Sequence, residues 1–227
     1  MSLFEIKGFS KDSRIMKKLY KYKKSENFSM KIANLLVTKN IINPSNHRFL
    51  LTLFGIGNLR SAPGTLASLF TALLWYLSIT KLFGSKSLLF PTLFWLAIII
   101  IVFIYGTIIS NCYVAKFKKE DPQYIVIDEF VGQLTSLTLS YMMLFDHFHI
   151  YTEMLLFDYF LIYLTIVNFI LFRIFDISKP SIIGRIDRNV KGGLGIMLDD
   201  IIAGLFSSAV IIATSLIICN YILLQNW

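Results

Sequence analysis

Apolar residues run along most of this chain in long stretches, and the polar residues gather between them. Five stretches stand out: Leu66 to Leu82, Pro91 to Ala115, Phe130 to Phe145, Met154 to Phe172 and Ile201 to Leu224. Crossing a bilayer core takes about 20 predominantly apolar residues, within a range of about 17–25. The second, fourth and fifth stretches meet that requirement; the second contains Ile98-Ile99-Ile100-Ile101 and the fifth has no charge. The first carries a single Lys near its end. The third is short, and either spans or lies as a helix buried among the others. Phe49 to Ile56 is too short to span and is expected at the interface or beneath the bundle. Backbone groups in lipid must be bonded within their own segment, so these stretches are read as helices. The pattern predicts an all-α, integral-membrane helical bundle of four to five hydrophobic segments.

Composition agrees. Of 227 residues, 56% are hydrophobic and 16% are charged, against about 45–50% and about 25% in ordinary soluble domains. A disordered chain and a disulfide scaffold are excluded. The net charge of +8 changes the picture, because of where it sits. Residues 1–48 hold eleven Lys and Arg against Glu5, Asp12 and Glu26, and the rest of the chain balances eleven basic groups with eleven acidic ones. The chain therefore divides into a basic N-terminal arm, 1–48, and a membrane-embedded domain, 49–227. Beside so apolar a body, the arm is expected to meet an anionic membrane surface, not nucleic acid.

With the arm in the cytoplasm and each segment crossing once, Lys116, Lys118 and Lys119 land inside, as do Arg173, Lys179, Arg185, Arg188 and Lys191. Asp146 to Glu153, without Lys or Arg, becomes an outside loop. This orientation follows the excess of basic residues on cytoplasmic loops. It also brings the polar stretches 57–65, 116–129 and 173–200 to one face.

Candidate chemistry lies in those stretches. Six of the body's eleven acids form three short phrases: Asp128-Glu129, Asp176 with Asp187, and Asp199-Asp200. Carboxylates at a membrane boundary are costly unless paired, hydrated or bound to metal. Helix capping is the structural alternative for Asp128 and Asp199, but it requires one acid per helix, whereas two adjacent acids stand at each place. Hard oxygen ligands without His or Cys nearby suit Mg²⁺. His47 lies in the arm, and His147 and His149 lie in the outside loop. Cys112 and Cys219 read as buried, reduced thiols. Arg173, Lys179, Arg185, Arg188 and Lys191 alternate with Asp176 and Asp187, and such cations match phosphate oxygens. The turn Gly192-Gly193 before Asp199 is of a kind that brings backbone N–H groups to an anion. Pro63-Gly64-Thr65 opens the first segment; Ser68 reads as a cap, and Thr65 as a cap or a phosphate contact. Carboxylates and cations on one face describe metal-assisted chemistry on a phosphate. The alternatives are a CDP-alcohol phosphatidyltransferase, whose Asp-Gly-x-x-Ala-Arg phrase is missing, and a cation transporter, which places acids nearer mid-membrane.

Four phrases carry a more specific likeness: Ala62-Pro63-Gly64-Thr65-Leu66-Ala67-Ser68-Leu69; Ile127-Asp128-Glu129-Phe130-Val131-Gly132; Phe172-Arg173-Ile174-Phe175-Asp176 with Lys179-Pro180; and Asp187-Arg188-Asn189-Val190 with Gly192-Gly193, Gly195-Ile196-Met197, Asp199-Asp200 and Ala203-Gly204. In this order, over roughly residues 50–215, the chain resembles the bacterial phosphatidylglycerophosphatase A family. The resemblance implies an all-helical bundle with one central helix surrounded by others. It also implies a Mg²⁺-dependent phosphatase of the inner membrane, acting on a phospholipid phosphate at the cytoplasmic face. The reaction would convert phosphatidylglycerophosphate to phosphatidylglycerol and inorganic phosphate. Carried onto this chain, the metal set is Asp128, Glu129, Asp199 and Asp200. The catalytic set is Arg173, Asp176, Lys179, Asp187, Arg188 and Asn189, with Asp187 or Asp176 orienting water. Thr65, Gly192 and Gly193 are expected to bind substrate. Ala67, Ile182 and Lys191 depart from the family pattern, which often has Gly, Pro and His there.

Overall fold

A computed structural model describes residues 28–83, 88–118, 122–151 and 154–225. Most of the basic arm, residues 1–27, lies outside the described residues, as does Lys119. Helix α1 (Phe28–Thr38) is followed by a 3-10 turn at Pro44–His47, the single turn α2 (Arg48–Leu51) and a second 3-10 turn at Ile56–Asn58. Five long helices form the body: α3 (Pro63–Leu77, prolonged by a π-helical turn to Phe83), α4 (Leu89–Phe117), α5 (Ile127–Tyr151), α6 (Met154–Ser178) and α8 (Gly193–Gln225). The short α7 (Ser181–Asn189) joins the last two. No strand occurs among the described residues.

Among the described residues, four helices are long and apolar enough to cross a membrane: Pro63–Phe83, Leu89–Phe117, Phe157–Ser178 and Gly193–Ile218. The fifth, α5, is 25 residues long, or about 37 Å at 1.5 Å per residue. It packs against α3, α4, α6 and α8 together, so it is the central helix and the others surround it. That position explains its sequence. Gln133, Thr135, Ser136, Thr138 and Ser140 are all buried, and a helix screened from lipid by its neighbours needs no apolar coat.

Without a hydrophobic drive between helices in lipid, close backbone approach and interhelical hydrogen bonds hold a bundle together. Both are present. A Cβ on Gly132 of α5 would lie 2.6 Å from the Asp200 carbonyl oxygen and 2.7 Å from the Phe172 ring. A Cβ on Gly204 of α8 would collide with the Gly132 carbonyl. One and two turns further along α5, Ser136 and Ser140 donate to Asn168 Oδ1 of α6 at 2.5 and 3.1 Å. The Asn168 amide donates in turn to the Leu164 carbonyl.

Several boundaries differ from the sequence expectation. Helix α5 continues to Tyr151, so residues 146–151 are helical where a loop was expected, and only 152–153 separate α5 from α6. Helix α8 begins at Gly193, not Ile201. The apolar pattern breaks at Asp199-Asp200, but the helix continues through them because both carboxylates face a polar cavity. The Phe49–Ile56 stretch packs Leu51, Thr52 and Leu53 beneath the bundle and leaves Phe49 and Phe54 exposed, which is the second of the two placements expected of it. Cys112 is fully buried.

Candidate active site

The polar stretches do converge. One cavity of about 710 Å³ is lined by residues from 60–65, 123–129, 173–179 and 190–200. Each wall is placed by a local feature. Ala62 takes a left-handed φ of 45° and turns the chain into α3 at Pro63, a favoured first helical residue. Gly64 is required by closeness: a Cβ there would strike Glu129 Oε1. The loop before α5 is held by Val126 N–H donating to the Leu51 carbonyl at 3.0 Å and by Arg48 lying over the Tyr124 ring. Burial, together with a hydrogen bond to Tyr113, pushes the Tyr124 phenol up to about 12. Lys179 also has a left-handed φ, 42°. Non-glycine residues rarely adopt that conformation, and outliers of this kind concentrate at functional sites.

At the inner end, carboxylate oxygens of Asp128, Glu129 and Asp200 all lie within 4.8 Å of one another. Asp128 Oδ1, Glu129 Oε2 and Asp200 Oδ2 are buried without a hydrogen-bond partner. Three crowded, desolvated carboxylates repel one another, and buried charges are expected to be paired or to coordinate metal. This donor set, all hard oxygen, fits a divalent cation of the Mg²⁺ kind. Beside it stand two ion pairs: Arg173 Nη1 with Asp176 Oδ2, and Lys179 Nζ with Asp199 Oδ2, each at 2.6 Å. Arg173 Nη1 also donates to Ser68 Oγ at 3.3 Å.

The residues singled out from sequence divide as follows. Asp128, Glu129, Arg173, Asp176, Lys179, Asp199, Asp200, Thr65 and Gly192 all line the cavity. Asp199, expected beside Asp200 in the metal set, is paired with Lys179. Capping explains none of the acids: Asp128 lies within the first turn of α5, and Asp199 and Asp200 lie in the second turn of α8. Ser68 is no cap either, since it sits in the second turn of α3 and donates to the Gly64 carbonyl. Gly193 is wedged against α4, where a Cβ would meet the Thr107 carbonyl. Its N–H donates to Asn111 Oδ1 at 2.8 Å, so it serves packing and leaves no donor for an anion. Asn189 is exposed at the end of α7 and off the cavity wall. The side chains of Asp187 and Arg188 lie outside the described residues.

Other cavity residues were not foreseen. Arg60, Gln123 and Ile177 line it, and Asn111 acts one contact behind it, as does Ser68, whose sequence reading is only a cap. Arg60 carried no motif signal, and the Ser68–Arg173 contact joins residues 105 positions apart. Ile177, 71% exposed, ends a stripe of exposed isoleucines on α6 with Ile166, Ile170 and Ile174. Their helical spacing puts them on one face, an apolar lane that runs up to the cavity rim.

Known proteins resemble this chain in sequence. The family model for phosphatidylglycerophosphatase A matches residues 49–215. Phosphatidylglycerophosphatase A of Escherichia coli K12 is 30% identical over 176 residues, covering 77% of this chain and 87% of that protein. The protein of the same name from Haemophilus influenzae is 29% identical over 184 residues, 79% and 94% of the two chains. A Bacteroides thetaiotaomicron protein named "Putative phosphatidylinositol-3-phosphatase" is 30% identical over 154 residues, 68% and 84% of the two chains. No solved structure gives a significant match. The matched span takes in every cavity-lining residue, and the chain belongs to the phosphatidylglycerophosphatase A family of phosphatases.

Proposed function

We propose that this chain hydrolyses the terminal phosphomonoester of phosphatidylglycerophosphate, releasing phosphatidylglycerol and inorganic phosphate, with Mg²⁺ held by Asp128, Glu129 and Asp200. The observation that carries this reading is the carboxylate trio. Carboxylate oxygens of the three residues lie within 4.8 Å of one another, and each residue has one buried oxygen without a hydrogen-bond partner, beside two cations and at the head of an apolar lane. When bound, the cation supplies charge to polarise the phosphoryl group and offset its developing negative charge.

The chain's own residues do the rest. Arg173 and Lys179 neutralise phosphate oxygens, each preorganised by its carboxylate partner. Thr65 lines the same cavity at the N-terminal end of α3, whose positive dipole end favours an anion. Asp176, held by Arg173, orients a water for in-line attack and accepts its proton. The bond from phosphorus to the glycerol oxygen breaks, and the leaving alkoxide takes a proton from solvent. The lane of Ile166, Ile170, Ile174 and Ile177 gives the acyl chains a path along α6 while the headgroup reaches the cavity.

Lys116, Lys118, Arg173, Lys179, Arg185 and Lys191 gather at the end of the bundle that carries the site, which supports a cytoplasmic-facing site in a bacterial inner membrane. The Bacteroides relative's printed name favours a second substrate of the same chemistry, a 3-phosphorylated inositol lipid. The test is phosphate release by the purified full chain from phosphatidylglycerophosphate in mixed micelles, with Mg²⁺ and with EDTA. Release that requires the cation is expected; equal release in EDTA sinks the metal assignment, and no release with Mg²⁺ sinks the substrate assignment.

A further inference from the structure

The cavity is larger than one phosphate needs, and its charge is graded. Its inner wall holds Asp199 and Asp200, 6% and 4% exposed, with Arg173 and Lys179 engaged in the ion pairs described above. Its outer wall holds two further cations, Arg60 and Lys191, both exposed and on segments distant in sequence. Both positions are structurally fixed. Arg60 stands two residues before the left-handed Ala62, in a turn tied back by Arg48 Nη2 donating to Asn58 Oδ1. Lys191 precedes Gly192, whose φ is 79°, and Asn111 clamps the following N–H. Gln123 adds a neutral polar side chain to the same wall.

We infer that Arg60 and Lys191 form a second anion subsite at the mouth of the cavity, which binds a phosphodiester group on the lipid substrate. The inference rests on the proposed lipid-phosphate hydrolysis and adds a selectivity to it. With the monoester at the buried carboxylates and the acyl chains leaving past Ile177, the headgroup's second phosphate must sit between them, at the rim. Phosphatidylglycerophosphate and a 3-phosphorylated inositol lipid both carry such a diester phosphate; phosphatidic acid does not. The subsite therefore selects lipids with two phosphates over lipids with one. Arg presents a planar fork of donors suited to phosphate oxygens, and Lys adds a point charge.

The test compares kcat/KM on phosphatidylglycerophosphate and on phosphatidic acid, in identical micelles with Mg²⁺, for the wild type and the Arg60→Gln/Lys191→Gln variant. The wild-type ratio is expected to exceed one, and the variant to lower it roughly tenfold, mainly through KM, as fits the loss of charged hydrogen bonds. Equal losses on the two lipids, as partial misfolding would give, or an unchanged ratio overturn the subsite. Inorganic phosphate as a competitive inhibitor reports the inner site, and its inhibition should shift less than the lipid ratio does. An equal shift shows that these cations bind the leaving phosphate and also overturns the proposal. Wild-type release from neither lipid removes the hydrolase reading itself, and the subsite with it.

Discussion

Helices α4 and α5 lie side by side and obey opposite rules. Helix α4 carries the most apolar sequence in the chain and turns Leu93, Ile100, Ile101, Ile104 and Ile108 outward; Ile101 is 62% exposed. Helix α5 is too polar to count among the four apolar spans, yet Gln133, Ser136, Thr138 and Ser140 are almost wholly buried. In water the apolar helix would be the hidden one. Here lipid solvates α4 as well as protein would, so its exterior needs only to be greasy. Helix α5 meets protein along most of its length and is selected for close fit, with Ser136 and Ser140 bonded across to Asn168. The same seclusion lets its first turn carry Asp128 and Glu129 into a cavity away from bulk water.

Substitutions should therefore weigh very differently on the two helices and their partners. The largest effect belongs to the carboxylate trio. Asp200→Asn should lower kcat/KM on phosphatidylglycerophosphate at least about 100-fold, measured as phosphate release. Its melting temperature in metal-free detergent should be unchanged or raised, because one of three crowded negative charges is gone. A variant that is both inactive and unfolded would break the separation of site from scaffold.

Next comes the α5–α8 crossing. Gly132→Leu forces a side chain into the Asp200 backbone and the Phe172 ring, and should cost about 1–3 kcal/mol or more, with activity falling because Asp200 shifts. Unfolding in detergent reads the first effect and phosphate release the second. Smaller still is Asn168→Ala. It strips the acceptor from Ser136 and Ser140 and should cost about 0.6–1.7 kcal/mol, the range of interhelical hydrogen bonds in lipid, with the catalytic residues left in place. Least of all, Ile101→Leu on the lipid face of α4 should stay within about 0.5 kcal/mol. A large cost there would show that α4 packs against a partner and not against lipid.

Much of this was legible from residues alone. The apolar stretches marked every long helix, and the acidic phrases marked the site, because carboxylates beside apolar runs have few other uses. Three kinds of feature were hidden. Helix ends were misplaced at Asp199-Asp200 and at 146–151, since hydropathy records where charge begins and not where backbone hydrogen bonding stops. The division of labour among adjacent acids was also hidden: Asp199 turns to Lys179 while Asp200 turns to the trio, and consecutive helical residues point about 100° apart. Contacts that depend on a crossing, such as Gly64 against Glu129 or Gly132 against Asp200, join positions far apart in the chain. A glycine in a motif looks like a turn until its neighbour is known. Arg60 is silent in the sequence because one cation in a Gly-containing loop carries no pattern.

The claim that the buried trio is a cation site has a physical readout apart from turnover. Mn²⁺ binding to the purified full chain in detergent, followed by electron paramagnetic resonance and competed with Mg²⁺, can be compared between the wild type and Asp200→Asn. The wild type should show a saturable site from which Mg²⁺ displaces Mn²⁺, and the variant should bind at least about tenfold more weakly, since even outer-shell changes at metal sites cost that much. Undiminished Mn²⁺ binding in Asp200→Asn would mean that these three carboxylates do not hold the cation.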